Sequence, residues 1–347
     1  MSAPILYSGP GKVIQTYASH PYDYQADGEN GQIKLAIAGK RTKRSTAMLG
    51  YIRSTLDDET VHLSLTPFDS WKILPALFPG YLGIDTSAIA NGAAAALVIG
   101  TRPHDIAAGT VNTGATTTVW TPDGRLYTIF RTAITKHPVL KLGVGMPLYG
   151  DMEITGLVDA ASPIGTASKL ITSIQGPNDT GAAAAADPDV GNYALDFVNG
   201  YWTGSWNSIT GIDAEDGWEL MVDAKYSPLT VQKRTYHYKL DSVEVSVKAR
   251  LSGPAHSVLM TNTLNNTAQV AGATIQNAVN TPAPLVLTGP AGLTGSAKTI
   301  TVTDCQVFFE GGGFEFGGTK LGTGEVVFVS KVDITSGLPT SVLTFSA

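Results

Sequence analysis

The sequence has few of the residues on which cross-linked, membrane-spanning or strongly charged proteins depend. It contains one cysteine, Cys305, which excludes an intrachain disulfide, and we expect this residue to be a small buried hydrophobe. No run of about 18 apolar residues could span a bilayer, and residues 1–11 lack the basic start and continuous apolar core of a signal peptide. Charged residues make up 15% of the chain, where about a quarter is usual. We therefore expect a soluble protein whose surface is partly covered by neighbouring molecules.

Motifs for catalysis are also missing. Gly9-Pro10-Gly11-Lys12 is similar to a phosphate-binding loop, but Val13 stands where the magnesium-binding Ser or Thr is needed. The six histidines lie far apart, so a metal cluster would have to be assembled entirely by the fold. Asp213-Ala214-Glu215-Asp216 offers carboxylates for calcium but lacks the ligand spacing of a dedicated loop. The sequence therefore predicts neither an enzyme nor a bound cofactor or metal.

Charges of opposite sign are segregated along the chain. The formal net charge of -6 and the pI near 5.5 argue against a protein that grips nucleic acid, which needs clustered Lys and Arg. Residues 30–56 contain basic but no acidic residues, namely Lys34, Lys40, Arg41, Lys43, Arg44 and Arg53. Residues 187–224 contain acidic but no basic residues, namely Asp187, Asp189, Asp196, Asp213, Glu215, Asp216, Glu219 and Asp223. Two interpretations remain open: two solvated loops, or complementary surfaces on adjoining copies of the chain.

Short alternating runs separated by turn residues predict a mainly β or α+β sandwich or barrel. Val61-His62-Leu63-Ser64-Leu65 alternates as a half-buried strand does. Thr66, Pro67 and Asp69 then predict the start of a helix that Pro75 keeps short. The basic residues Lys40–Arg44 are interpreted as a turn.

Residues 1–30 have no periodicity, because Pro4, Pro10, Pro21 and several glycines interrupt them. They are interpreted as an extended arm with aromatic anchors that order it against a partner. The arm residues proposed for contacts between subunits are Tyr7, Tyr17 and Tyr22, and Tyr24 is a further anchor.

The same pattern occurs twice, between Val61 and Asp159 and between Val243 and Asp333. Each copy has an alternating strand, a Pro-containing segment typical of a short helix, and two strands joined by a glycine-containing link. We therefore predict a duplicated domain, with an arm at 1–30, a first domain at 31–175, a linker at 176–190 and a second domain at 191–347.

Three stretches together resemble one known family, the tail tube (major tail) proteins of long-tailed bacteriophages. The stretches are Val61-His62-Leu63-Ser64-Leu65-Thr66-Pro67 with the helix-like segment to Pro79, Ala133–Pro138 running to Gly150–Ile154, and Gly313–Gly317 running to Gly324–Phe328. The resemblance covers most of the chain in order, but residues 88–118 and 160–200 show none.

This resemblance implies a duplicated tail-tube β-sandwich or barrel fold with short flanking helices. It also implies rings that stack into a tube through which DNA passes without specific binding. With two such folds in each chain, we expect homotrimeric, pseudo-hexameric rings, or homohexamers if the duplication is only apparent. The implied location is the virion tail after assembly in the host cytoplasm, and the implied partners are the tape measure, terminator and distal tail proteins. The tube of a contractile tail is a close variant of this interpretation.

The expected assembly contacts follow from the charges. We expect Lys40, Arg41, Lys43 and Arg44 to meet acidic groups of a neighbour, and Asp213, Glu215, Asp216 and Glu219 to line the lumen or to form the complementary surface. Two alternatives are kept. The first is another virion shell protein, such as a capsid or decoration protein, and the second is a glycan-binding β-sandwich surface protein whose platform would be Trp202, Trp206 and Trp218.

Overall fold

The structure is a computed structural model, and its described part is built from β-strands. It describes residues 11–17, 20–25, 32–48, 50–67, 95–99, 115–144, 147–157, 170–174, 200–231, 234–251, 259, 282–291, 297–309, 324–330 and 340–346. The predicted mainly β fold class is confirmed. Among these residues, no helix is long and apolar enough to cross a membrane.

Within the described residues, the first sheet has eight strands, all paired antiparallel. They are β1 (Lys12–Tyr17), β2 (His20–Gln25), β3 (Lys34–Thr46), β4 (Gly50–Leu65), β6 (Ala115–Trp120), β7 (Leu126–Lys136), β10 (Met152–Gly156) and β11 (Ile171–Ile174). Their order across the sheet is β2-β1-β6-β7-β10-β4-β3, with β11 beside β7.

In the part of the chain that the structure describes, the second sheet has ten strands, also antiparallel. They are β5 (Ala95–Ile99), β8 (Leu140–Leu142), β9 (Pro147–Tyr149), β12 (Thr203–Trp206), β13 (Ile209–Val231), β14 (Arg234–Leu251), β15 (Ala283–Ala291), β16 (Ala297–Phe309), β17 (Gly324–Ser330) and β18 (Thr340–Ser346). Their order is β12-β15-β16-β17-β14-β13-β8-β9, with β18 beside β16 and β5 beside β18.

One strand order recurs in both sheets. The order β1-β6-β7-β10-β4-β3 in the first sheet matches β12-β15-β16-β17-β14-β13 in the second, and β11 on β7 matches β18 on β16. Both series also run in the same order along the chain. We call β1–β11 the first half of the chain and β12–β18 the second half. Of the remaining strands, β2 extends the first sheet beside β1. Strands β5, β8 and β9 belong to the first half in sequence, but they extend the sheet of the second half.

Both halves contain a hairpin that runs beyond its sheet as a two-stranded ribbon. In the first ribbon, Lys40–Thr46 pairs with the start of β4, whereas β10 reaches β4 only at Val61–Leu65. In the second ribbon, the outer parts of β13 and β14 continue to Val231 and Arg234. Exposed Met48 lies at the turn of the first ribbon. The interpretation of Lys40–Arg44 as a turn is therefore wrong, because these residues continue β3.

Buried residues of both sheets form one contiguous core. Its largest fully buried side chains include Trp206, Trp218 and Phe328. The ring centroid of Phe328 lies 6.2 Å from that of Trp206 and 6.1 Å from that of Trp218. Each indole N–H is satisfied by a carbonyl group, that of Cys305 at 3.0 Å and that of Trp202 at 3.2 Å. Such rings dominate a core because each removes a large apolar area from water.

The amino-terminal part differs from the predicted arm. From Lys12 onward it forms β1 and β2, and β1 pairs with β6 inside the first sheet. The Tyr24 hydroxyl donates to the buried Gln15 side chain at 3.0 Å, and the Gln15 amide donates to Thr132 at 3.2 Å. Val13 and Tyr24 are fully buried, so the described part of this segment belongs to the core.

Several predictions fall on other parts of the chain. The first predicted helix lies outside the described residues beyond Pro67, as does the 176–190 linker. Of the second predicted helix only Leu259 is described, and it is helical and buried. The predicted domain bounds stay a prediction.

Candidate assembly interface

The proposed basic contact residues lie on the first ribbon. Lys40, Lys43 and Arg44 are exposed on β3, and Arg41 occupies the same strand. The β-register places Lys40 opposite Asp57, whereas Arg44 stands opposite Arg53. Like charges directly opposite each other destabilise a β-ladder unless another charge compensates them. The outer end of this ribbon is therefore a surface that an acidic partner would stabilise.

The proposed acidic residues lie on the inner part of β13. Asp213, Glu215 and Asp216 are exposed, and Glu219 is half-buried. The Glu215 carboxylate lies 3.9 Å from Arg250 Nε. Some of this acidic charge is thus neutralised within the chain.

Glu219 has basic residues on both neighbouring strands. The register places it opposite Lys141 of β8 and Lys248 of β14. Opposite charges on adjacent strands contribute modestly to stability at an exposed site. Glu219 is therefore a poorer candidate than its neighbours for an uncompensated acidic contact.

The structure also brings together two acidic residues whose contact could not be predicted from the sequence. Asp223 stands directly opposite Glu244, and both side chains are exposed. Asp223 was included in the acidic segment, but only the pairing of β13 with β14 reveals its acidic neighbour. The two ribbons thus carry like-charged pairs of opposite sign, Arg44/Arg53 on the first and Asp223/Glu244 on the second.

The tyrosines proposed for contacts between subunits lie in different parts of the structure. Tyr17 lies in β1 and Tyr22 in β2, opposite Gln15. Tyr7 is outside the described residues. Tyr24 is buried and so contributes to the fold rather than to a partner.

A polar junction joins the second ribbon to the first sheet. The Tyr226 hydroxyl and His137 Nε2 form a hydrogen bond, and their rings lie 5.9 Å apart between centroids. Burial raises the pKa of Tyr226 well above its ordinary value, and it also raises the pKa of Tyr238, which bonds to Thr155. Both phenols therefore stay protonated at neutral pH, so the junction holds the ribbon in place without burying a phenolate charge.

The same junction includes a histidine–carboxylate pair. His62 Nδ1 lies 2.8 Å from Glu153 Oε1 and 3.4 Å from the Thr155 hydroxyl, which also bonds to Thr135 at 2.9 Å. His62 and Glu153 belong to adjacent strands β4 and β10. Sequence spacing could not predict this contact, since 91 residues separate the two. Among the described residues, no group of three His, Cys, Asp or Glu side chains could hold a metal ion.

The tryptophans proposed as a glycan platform do not form one. Trp202, Trp206 and Trp218 are at most 3% exposed. A stacking platform needs exposed ring faces, so this alternative loses the residues on which it was based.

No protein-family model matches the chain, and no curated protein matches it.

Proposed function

We propose that this chain is a tail tube protein of a long-tailed bacteriophage, a structural subunit that self-assembles into stacked rings enclosing a channel for DNA. The observation that carries the proposal is the recurrence of one strand order in the two halves, together with strands of the first half that extend the sheet of the second. A catalytic activity is not expected.

The contact between the two halves joins two different surfaces, as the contacts between neighbouring subunits of a ring do. Strands β5 and β8 of the first half join edges of the second sheet, so two different surfaces meet. Repeated contacts between different surfaces close a ring when the rotation permits it. Closure also covers sheet edges, which would otherwise be templates for uncontrolled aggregation.

The charges support stacking of such rings. The basic pair on the first ribbon and the acidic pair on the second offer complementary surfaces on adjoining copies. The negative balance of the chain also suits a channel wall along which DNA slides, because an attractive wall would retain it. Tape measure, terminator and distal tail proteins remain proposed partners through the family resemblance.

Negative-stain electron microscopy of the purified full-length protein tests this proposal. Hollow rings or tubes of uniform diameter are the expected result. Closed shells, or decoration of an added capsid lattice, would instead favour another virion shell protein. A protein that stays monomeric at every concentration and salt condition would contradict both assembly functions.

A further inference from the structure

Within one chain, the second ribbon lies against the outer face of the first sheet, which is the face opposite its apolar core side chains. Strand β14 contacts β4, and β13 contacts β7. Tyr226 of the ribbon bonds to His137, just after β7, and Tyr238 bonds to Thr155 of β10. The ribbon of one half thus packs on the sheet of the other half.

The recurring strand order allows this contact to be transferred from one sheet to the other by register. Leu65, the last residue of β4, pairs with the first residue of β10, and Leu251, the last residue of β14, pairs with the first residue of β17. Leu65 and Leu251 are therefore equivalent positions. Counting from them along the paired strands, Thr155 of β10 corresponds to Val327 of β17.

The next strand of each sheet shows how the two outer faces differ. Thr155 pairs with Ala133 of β7, and Val327 pairs with Phe308 of β16. Phe308 is therefore the counterpart of Ala133. Ala133 is fully buried, whereas the large apolar side chain of Phe308 is 41% exposed. The second sheet thus presents an apolar side chain at the position that is buried in the first sheet.

The same count identifies the equivalent position on the first ribbon. Ile52 of β4 corresponds to Tyr238 of β14, and the register places Lys43 of β3 at the position of Tyr226 of β13. Ile52 and its neighbour Tyr51 are each 53% exposed. The first ribbon therefore has large exposed apolar side chains where the second ribbon makes its contact with a sheet.

We propose that the first ribbon of one copy of this chain lies against the outer face of the second sheet of another copy, where Tyr51 and Ile52 contact Phe308. The contact repeats between chains the relation that the second ribbon and the first sheet have within one chain. Strand β4 of one copy then meets β14 of the other, and β3 meets β16. The proposal rests on the proposed self-assembly and specifies a surface through which adjoining copies join.

Charge favours a second copy as the occupant of this face. The first ribbon carries exposed Lys43 and Arg44 beside its apolar residues. The acidic pair Asp223 and Glu244 is exposed on the same outer face of the second sheet as Phe308. Opposite charges around an apolar contact direct the encounter and fix its register. The first ribbon therefore brings both an apolar group and a charge that suit this face.

Site-specific photo-crosslinking of the full-length protein tests the contact. The photoreactive p-benzoylphenylalanine replaces Ile52, and this protein is mixed with isotope-labelled wild-type chain, assembled and irradiated. Peptide mass spectrometry locates each cross-link, and the isotope label separates links between chains from links within one chain. We expect position 52 of one chain to be linked to β16 of another chain, at or next to Phe308.

The chain offers a matched positive control. The same photoreactive residue in place of Tyr238 should form a link within one chain to the strands around Thr155. If rings assemble and the link from position 52 goes elsewhere or does not form, the proposed contact is wrong while self-assembly stands. A link between positions 52 and 308 of different chains without rings or tubes supports the contact and contradicts the tube function. Absence of both rings and the link overturns both, and a 52–308 link found only within one chain overturns the contact.

Substitutions at the two positions give an independent readout. Ile52→Lys and Phe308→Glu change exposed side chains, so each monomer should remain folded by circular dichroism. Each substitution alone should raise the protein concentration needed for assembly about tenfold or more, because it places an unpaired charge in an apolar contact. Ile52→Leu keeps the contact apolar and should assemble as the wild type does.

The two substitutions combined in one chain test whether the positions meet. The double variant should recover assembly, because the two new charges are opposite and adjoin at the contact between copies. Normal assembly of Ile52→Lys alone would contradict the proposal. A double variant that assembles no better than either single variant would also contradict it.

Discussion

At the residue scale, Cys305 shows how burial controls chemistry. Its side chain is fully buried on β16, and its thiol lies 3.4 Å from the carbonyl oxygen of Val302. Burial raises the pKa of this thiol to about 12, from an ordinary value near 9.0. The alternating pattern around Cys305 predicted a buried, unreactive thiol, and its burial is confirmed.

This shift has a measurable consequence at alkaline pH. Between about pH 9 and pH 12 the unfolded chain loses the thiol proton and the folded chain keeps it, so the free energy of unfolding should fall as pH rises, by up to about 1.4 kcal/mol per pH unit. Urea unfolding at several pH values in this range should show a shallower decline for Cys305→Ala than for the wild type. Tyr226 and Tyr238 contribute their own decline above about pH 10 in both proteins. Equal slopes in the two proteins would contradict the assigned cause.

A glycine–indole contact gives a second prediction at this scale. A Cβ atom at Gly289 would lie 2.6 Å from Trp202 Cζ2, and the buried ring has little room to move. Gly289→Ala should therefore lower the free energy of unfolding by about 1–3 kcal/mol through overpacking. Gly143→Ala is the matched control, since a Cβ there meets no atom within 4 Å and should change stability by less than about 0.5 kcal/mol. Thermal or urea unfolding of both variants decides the matter, and equal effects would show that the contact is not the cause.

At the element scale, the two ribbons carry the charge segregation seen in the sequence. Lys43 and Arg44 project from β3, while Asp223 and Glu244 are exposed on β13 and β14. In water such charges interact weakly, but several pairs formed together across an interface set register and specificity.

Reversal of the basic charges tests this arrangement. The variant with Arg41→Glu, Lys43→Glu and Arg44→Glu should assemble poorly while its monomer stays folded, because the acidic partner would meet like charge. Adding Asp223→Lys and Glu244→Lys should restore assembly if the two ribbons meet. Light scattering and electron microscopy measure assembly, and circular dichroism checks the fold. Normal tubes from the triple variant would refute an assembly role for the basic ribbon. If the five-residue variant still fails to assemble, the basic ribbon contacts a surface other than the acidic pair Asp223 and Glu244.

The elements also show where sequence patterns succeed. Val61-His62-Leu63-Ser64-Leu65 was predicted as a half-buried strand and lies in β4, where Val61, Leu63 and Leu65 are buried and the two residues between them are partly exposed. The continuation of β3 through Lys40–Arg44 could not be predicted, since its residues are all polar and their conformation is determined by pairing with β4. Likewise, β1 belongs to the first sheet because β6 pairs with it across about a hundred residues of sequence, a contact that local composition does not encode.

At the scale of the whole molecule, one strand order recurs in the two halves, and we propose that each chain supplies two successive wedges of one ring. The duplicated pattern was visible in the sequence, but the strand order and the edge strands that cross between halves required the structure. These edge strands, together with the hydrogen bond between His137 and Tyr226, show how one half is joined to the next.

Ring symmetry follows from this relation and gives the last prediction. If the contact between chains repeats the contact between halves, three chains provide six quasi-equivalent wedges, and the ring has true threefold symmetry with an approximately sixfold lumen. Each ring then carries three times the formal net charge of -6 of one chain. Cryo-electron microscopy of reconstituted tubes, with native mass spectrometry of isolated rings, counts the chains directly. Three chains are expected, each with the β13–β8 pairing that joins its two halves. Six complete chains per ring would refute this symmetry, because each chain would then occupy a single wedge and the repeated strand order would have no role in closing the ring.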